Sequence, residues 1–359
     1  MEMETDIRKL LEKIVHPESG VNIVEAGIVE SVKAAEDKIT VTLAFAKSRD
    51  PFAAKIKRQV QESVAEAFPK AAVTVTIREA APRQTAPQQQ TYTTTSQIRH
   101  TVAVASGKGG VGKSTVTANL AVALRKAGYR VGVLDADIYG PSQPRMFGAE
   151  GYVPDAVEDE NGHTLIVPAV AESGAAAGIE VMSIGFFIKP TDALMWRGAM
   201  AVNALKQMIH QTAWGELDYL LIDLPPGTGD IHLSIIGELR IDAAVIVSTP
   251  QQIAVADVVR GVEMFRHPQV GVPVAGIVEN MAWFTPAELP DNRYYIFGRG
   301  GAERYARENG IDLLGKIPLI QSVMECSEDG CPAAGVDERV AEHYREIADK
   351  IVDKLSKGC

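Results

Sequence analysis

Cysteine is scarce in this chain of 359 residues: there are 3, Cys326, Cys331 and Cys359, and none stands before residue 326. That distribution excludes a disulfide framework and leaves reduced thiols or ligands. Long apolar runs are also missing. No stretch approaches the roughly 18 apolar residues of a membrane span, and MEMETDIRKLLEKIV at the N-terminus mixes charges into its apolar positions, so a secretory leader is not expected there. Positive charge is in deficit, with a net of -10 at pH 7, which argues against unspecific binding to nucleic acid or to an acidic membrane. Together these absences predict a cytoplasmic protein. No internal repeat of 20 to 50 residues is visible, and a composition of 46% hydrophobic and 23% charged residues excludes a disordered chain.

What is present divides the chain in two. Ile7, Leu10, Leu11 and Ile14 fall at helical spacing, Ile39, Val41, Leu43 and Phe45 at strand spacing. A second helix is predicted after Pro51, with Phe52, Ile56, Val60, Val64 and Phe68 on one face, and Val73, Val75 and Ile77 mark another strand. These elements predict a small α+β domain over residues 1–80. Residues 81–98, rich in Pro, Gln and Thr, bury almost nothing and predict a flexible linker, with a capping extension of the second domain as the alternative. Residues 99–359 then alternate apolar strands and helices. TVAVAS, a glycine loop, the helix STVTANLAVALRKAG closed by Gly128 and the strand YRVGVLDAD form one βαβ unit. With the buried strands YLLIDL, AAVIVST and VAGIVEN they predict an α/β domain built on a mostly parallel sheet, helices on both faces. The tail places Val340, Tyr344, Ile347, Ile351 and Leu355 on one stripe of a last helix.

The loop SGKGGVGKST satisfies GxxxxGK[ST] between a predicted strand and a predicted helix, the context in which this pattern binds phosphate. Backbone N–H groups of Gly107, Lys108, Gly109, Gly110, Val111, Gly112, Lys113, Ser114 and Thr115 would close around ATP, with Lys113 on the β/γ-phosphates and the Ser114 hydroxyl on Mg²⁺. A glycine-rich turn is the plainer reading. In LLIDLPPGTGD, Asp223 ends a strand where such enzymes hold the Mg²⁺ water shell, or it is a strand-end cap. In VLDADIYGPS, Asp135 and Asp137 are placed to orient an attacking water.

One lysine satisfies the pattern, so Lys108 needs its own reason. The start GKGGVGK resembles the deviant loop of the dimeric ATPases that include the septum-site, plasmid-partition and arsenite-pump proteins. That resemblance implies a homodimer sandwiching nucleotide, in which Lys108 reaches the other subunit's phosphates as a cation supplied in trans. A solvated loop lysine is the alternative.

The order GKGGVGKST, LDADIYGPSQPRMFG, MSIGFF, MWRGAM, LIDLPPGTGD, VSTPQQIAVAD, VENMAWF and YYIFGRGGAERYA resembles the Mrp-like family of iron–sulfur cluster carrier ATPases. HPESGVNIVEAGIVESV resembles the small domain that bacterial members carry in front. The resemblance implies a nucleotide-dependent carrier that serves apo iron–sulfur proteins and the cluster assembly machinery. It also implies Asn280 on the adenine edge, unless that amide is a cap, and Pro318 beside the base. One departure is plain. Where the family carries CxxC, this chain reads Thr285, Pro286, Ala287 and Glu288, with no soft ligand for a [4Fe-4S] cluster bridging two subunits. Cys326 and Cys331, on a glycine-containing loop, are the remaining thiol pair, with ordinary loop cysteines as the alternative; Cys359 is expected to be incidental.

Two further readings compete. A spatial organiser of the partition or septum-site type would need a basic or membrane-seeking surface, whereas the tail from Asp337 holds six acidic against five basic residues. A metabolic kinase would need an acceptor site, and none is visible.

Overall fold

The structure, a computed structural model, describes residues 2–11, 13–14, 22–24, 28–34, 38–45, 53–69, 71–79, 97–187 and 198–358. The linker proper, Phe52 and Cys359 lie outside them. The chain forms two compact units, Met1–Gln90 and Thr91–Cys359.

In the first unit, α1 (Glu2–Leu11), β1 (Val29–Ala34), β2 (Lys38–Phe45), α2 (Ala53–Ala67) and β3 (Ala72–Glu79) follow one another. β1 runs antiparallel to β2, and α2 carries the chain across to β3, which lies parallel to β2. α2 contains neither glycine nor proline, and its Ile56, Val60 and Val64, spaced by one turn, meet Ile39, Val41 and Leu43 in a closed core. Two expectations shift. α1 stops at Leu11, so Ile14 is buried from outside the helix. Ile77 is 41% exposed, because β3 is an edge strand of this small sheet.

The second unit contains β4 (Ile98–Ala105), α3 (Lys113–Lys126), β5 (Val131–Asp135), the short α4 (Gln143–Met146), a hairpin of β6 (Ala156–Glu158) and β7 (Thr164–Ile166), β8 (Ala169–Val170) and β9 (Glu180–Ser183). It continues with α5 (Gly198–Gln211), β10 (Leu217–Asp223), α6 (Asp230–Glu238), β11 (Ala243–Ser248), α7 (Gln252–Arg266), β12 (Val274–Glu279), α8 (Gly301–Glu308), β13 (Leu313–Lys316), α9 (Gln321–Glu328) and α10 (Glu338–Lys357). Eight strands form one sheet in the order β13-β12-β11-β4-β10-β5-β9-β8, parallel throughout except for β8.

The runs of Val, Ile and Leu in β10 and β11 are apolar on both faces because both faces are covered. α3 and α10 pack on one side, α5, α6 and α7 on the other. Every expected member of the α10 stripe, from Val340 to Leu355, is buried. That stripe is spent on the sheet and presents no apolar face to a membrane. No described helix is long and apolar enough to cross one.

β4 sits in the middle. After β4 the chain crosses over β10 to β5, and after β10 it returns over β4 to β11. The direction of winding reverses there, and because the strands are parallel their carboxyl ends gather on one edge around the turn that follows β4.

Candidate functional site

At that edge β4 gives way to Ser106–Gly112, and α3 begins with Lys113. Gly110 and Gly112 lie at φ +78° and +80°, conformations that L side chains avoid. The approach is also close. A Cβ on Gly112 would lie 2.3 Å from Asn280 Nδ2, and one on Gly107 would lie 2.2 Å from the Asp257 carbonyl oxygen. Glycine is therefore required here by backbone and by space. Asn280, at the end of β12, donates from Nδ2 to the Val111 carbonyl at 2.8 Å. The next residue, Met281, is the sole described non-glycine at positive φ, +55°.

Lys113 is buried, and its ammonium meets Asp223 Oδ1 at 2.5 Å, Ser114 Oγ at 3.2 Å and Asp137 Oδ2 at 3.8 Å. Asp223 has no exposed surface. Its Oδ1 also accepts from Thr117 Oγ1 at 3.2 Å, and its Oδ2 from Gln143 Nε2 at 2.8 Å. The same Gln143 amide donates to the Ser114 carbonyl at 3.0 Å, joining α4 to the first turn of α3. The β10 and β5 registers explain the meeting, since Asp223 lies directly beside Asp135 and Asp135 beside Ser183.

The two aspartates of LDAD separate in role. Asp135 is wholly buried, and four donors converge on it: Asp137 N at 3.2 Å on Oδ1, with Ser142 N, Gln143 N and Ser183 Oγ at 3.0, 3.1 and 3.0 Å on Oδ2. Burial, and next the neighbouring Asp223 charge, push its carboxyl up to about 7. Asp135 therefore holds the 137–143 loop through donors from the protein itself, three on Oδ2 and one on Oδ1. Asp137 differs. Its Oδ1 is buried without a hydrogen-bond partner, and burial, opposed by Lys113, raises its pKa.

His232, in the first turn of α6, donates from Nε2 to the Pro225 carbonyl at 2.7 Å and so ties down the PPGTGD turn; burial lowers its pKa. Gln143, Thr117, Ser183 and His232 were not found in the sequence. Thr117 alone had a usable signal, standing one helical turn after Lys113. Lys108 is exposed and makes no ion pair with any described residue. Pro318 is buried beside the Asn280 turn, where Ala282 N donates to Ile317 O at 2.9 Å and Leu319 N to Trp283 O at 2.7 Å.

The cysteine pair differs from expectation. Cys326 is not on a loop but in the last turn of α9, and only Cys331 lies beyond the helix end. Both are half-buried thiols. Among the described residues, no group of three or more His, Cys, Asp or Glu is placed to hold a metal ion. Thr285–Glu288 lies on the segment between β12 and α8, turned outward at Glu288.

Comparison with known proteins agrees with this geometry. Residues 97–352 match the family described as NUBPL iron-transfer P-loop NTPase, and residues 4–77 match the iron-sulfur cluster assembly protein family. An iron-sulfur cluster carrier protein of Synechocystis sp. is 37% identical over 97% of this chain and 96% of its own. One from Pseudomonas fragi is 46% identical over 70% and 85%. Among solved structures, a nucleotide-binding protein of Archaeoglobus fulgidus in complex with ADP shares 40% identity and a TM-score of 0.57, over 66% of this chain and 89% of that one. The cell division ATPase MinD of Pyrococcus furiosus, at 21% identity and a TM-score of 0.52, shares the fold.

Proposed function

Because the chain belongs to the iron–sulfur cluster carrier family of P-loop NTPases, we propose that it binds and hydrolyses ATP as a homodimer in the cytoplasm and delivers clusters to apo-proteins. The observation that carries the ATP reading is the buried group of Lys113, Asp223 and Asp137 beneath a loop in which Gly107 and Gly112 leave no room for a Cβ. Phosphates would lie along Gly107–Thr115, on backbone N–H groups and the positive end of α3. Lys113 would leave Asp223 for the β/γ-phosphates. The A. fulgidus relative carries ADP, in keeping with this.

The donor set also fits Mg²⁺: the Ser114 hydroxyl and the Asp223 carboxylate are hard oxygens beside the loop, and Asp137 adds a buried oxygen with no partner. The bound ion would supply charge neutralisation at the β- and γ-oxygens. Asp137 would orient the attacking water, with Asp135 and Gln143 holding its loop in place. Asn280, just past β12, and Pro318, just past the neighbouring β13, are the residues we assign to the base. Lys108, exposed and unpaired among the described residues, would act on the partner subunit's phosphates.

For a [4Fe-4S] cargo, Thr285–Glu288 offers no sulfur, and four thiolates could come only from Cys326 and Cys331 of both copies, Cys359 aside. We assign residues 1–80 to a client-facing domain on a tether over 81–98. The organiser reading is not favoured, since the α10 stripe is buried and the net charge is -10.

Two variants test the ATP reading. Lys113→Ala should lose ATP binding, whereas Lys108→Ala should bind ATP yet hydrolyse it about 10³-fold more slowly. Wild-type affinity in the first, or wild-type turnover in the second, would overturn the corresponding role. Anaerobic reconstitution with iron and sulfide tests the cargo: a cluster should appear on the wild type and be lost in Cys326→Ser/Cys331→Ser. Failure of the wild type to take up iron would remove the carrier step and leave the ATPase.

A further inference from the structure

α9 ends in a particular way. Gly330 takes φ +71°, and Cys331 N donates to the Cys326 carbonyl at 3.0 Å. This is the six-to-one hydrogen bond of a Schellman cap, in which the residue three before the C-cap, here Cys326 with Asp329 as cap, and the residue after the left-handed glycine are commonly in side-chain contact. A C-x₄-C spacing with glycine at its fifth position thus puts both thiols at the two contacting positions. The hydrogen bond also limits the reach. Standard backbone lengths added to a bond of that size hold the two Cα atoms within about 7 Å, the upper edge of disulfide geometry.

The cap is fixed from both sides. A Cβ on Gly330 would lie 2.7 Å from Gly148 Cα and 3.2 Å from the Arg145 carbonyl oxygen, so the turn is seated directly against the end of α4. Arg145 and Glu328 form an ion pair across the same contact. Beyond Cys331, Ala334 N donates to Asn119 Oδ1 at 2.7 Å, anchoring the following turn to α3. The two thiols are therefore held near one another by a pinned backbone.

A metal ion needs more ligands than this chain provides at the pair, since no third His, Cys, Asp or Glu among the described residues completes a site. Two sulfurs alone suit a disulfide. Both side chains are only half-buried, so a small molecule can reach them.

We propose that Cys326 and Cys331 are an oxidisable dithiol that closes to a disulfide by exchange with low-molecular-weight disulfides of the glutathione class. One cysteine thiolate attacks the glutathione disulfide, releases one glutathione thiolate and leaves a mixed disulfide. The second cysteine's thiolate then displaces the other glutathione. In sum the protein loses two protons and two electrons as its S–S bond forms, and one glutathione disulfide becomes two thiols. The readout needs neither ATP nor iron, so the pairing stands or falls apart from the carrier reading.

The test uses the full chain with Cys359→Ser as background, equilibrated in glutathione buffers of graded ratio, quenched with acid, alkylated and weighed intact. The expected result is that both remaining thiols vanish from alkylation together, with a loss of two hydrogens, no retained glutathione and full return on reduction. Adding Cys326→Ser or Cys331→Ser should instead trap one glutathione adduct, with far-UV circular dichroism showing each variant folded. A stable glutathione adduct on the double-thiol protein, or thiols that alkylate at every ratio, would overturn the proposal.

Discussion

Replacing Gly112 by alanine tests how the phosphate loop is held. An alanine at φ +80° enters the left-handed region, which costs about 1–2 kcal/mol. Its Cβ would also fall 2.3 Å from Asn280 Nδ2 and drive that amide off the Val111 carbonyl. Leaving such buried groups unpaired costs about 1–3 kcal/mol more. Gly112→Ala should therefore destabilise the larger unit by about 2–5 kcal/mol, the sum of those two costs. Asn280→Ala alone should cost about 1–3 kcal/mol, and the double variant should cost less than the two singles added, by about the same amount, because the clash has lost its target. Urea unfolding followed by tryptophan fluorescence isolates this unit, since Trp196, Trp214 and Trp283 all belong to it. A Gly112→Ala cost below about 0.5 kcal/mol, or single effects that simply add, would refute the reasoning.

Two other outcomes follow from the buried polar groups. Asp135, raised to about 7 in the fold, binds its proton more tightly folded than unfolded, so its contribution to stability is greatest below the ordinary carboxylate range, falls as pH climbs towards about 7 and then levels off. Asp135→Asn should flatten that slope in unfolding measured from pH 4 to 8, and an unchanged slope would reassign the proton. Gln143→Ala should leave Asp223 Oδ2 buried without its donor and cost about 1–3 kcal/mol in thermal unfolding; an unmoved midpoint would mean that α4 is held without it.

The parallel sheet was legible because β10 and β11 announce themselves as unbroken apolar runs, and the phosphate loop because its glycines and Lys113 are local in sequence. Asp223 was legible for a similar reason: a charge at the end of such a run has only the strand's carboxyl edge to occupy. Gln143 was not, since nothing in SQPRM marks a glutamine that spans to a strand 80 residues away. The contrast between Asp135 and Asp137 was equally hidden, because it depends on Ser183 of a neighbouring strand and on which backbone N–H groups turn inward. Cys326 departs from the loop expectation because the left-handed Gly330 closes the helix after the cysteine rather than before it.

The contact between Lys113 and Asp223 changes what binding at this loop means. In the proposed role of Lys113, an incoming phosphate would not find a bare cation; it would have to displace a carboxylate that already holds the ammonium at 2.5 Å. Binding is thus a trade of one anion for another, and affinity is set by the difference between two strong attractions. The trade also has a second half. Once its lysine departs, Asp223 is a buried charge without an opposite, a condition that costs about 3–5 kcal/mol when created by deletion of a partner. On the proposed reading, a divalent cation arriving with the nucleotide would offset that cost, so the pairing of Lys113 with Asp223 would make the loop respond to nucleotide and metal together rather than to phosphate alone.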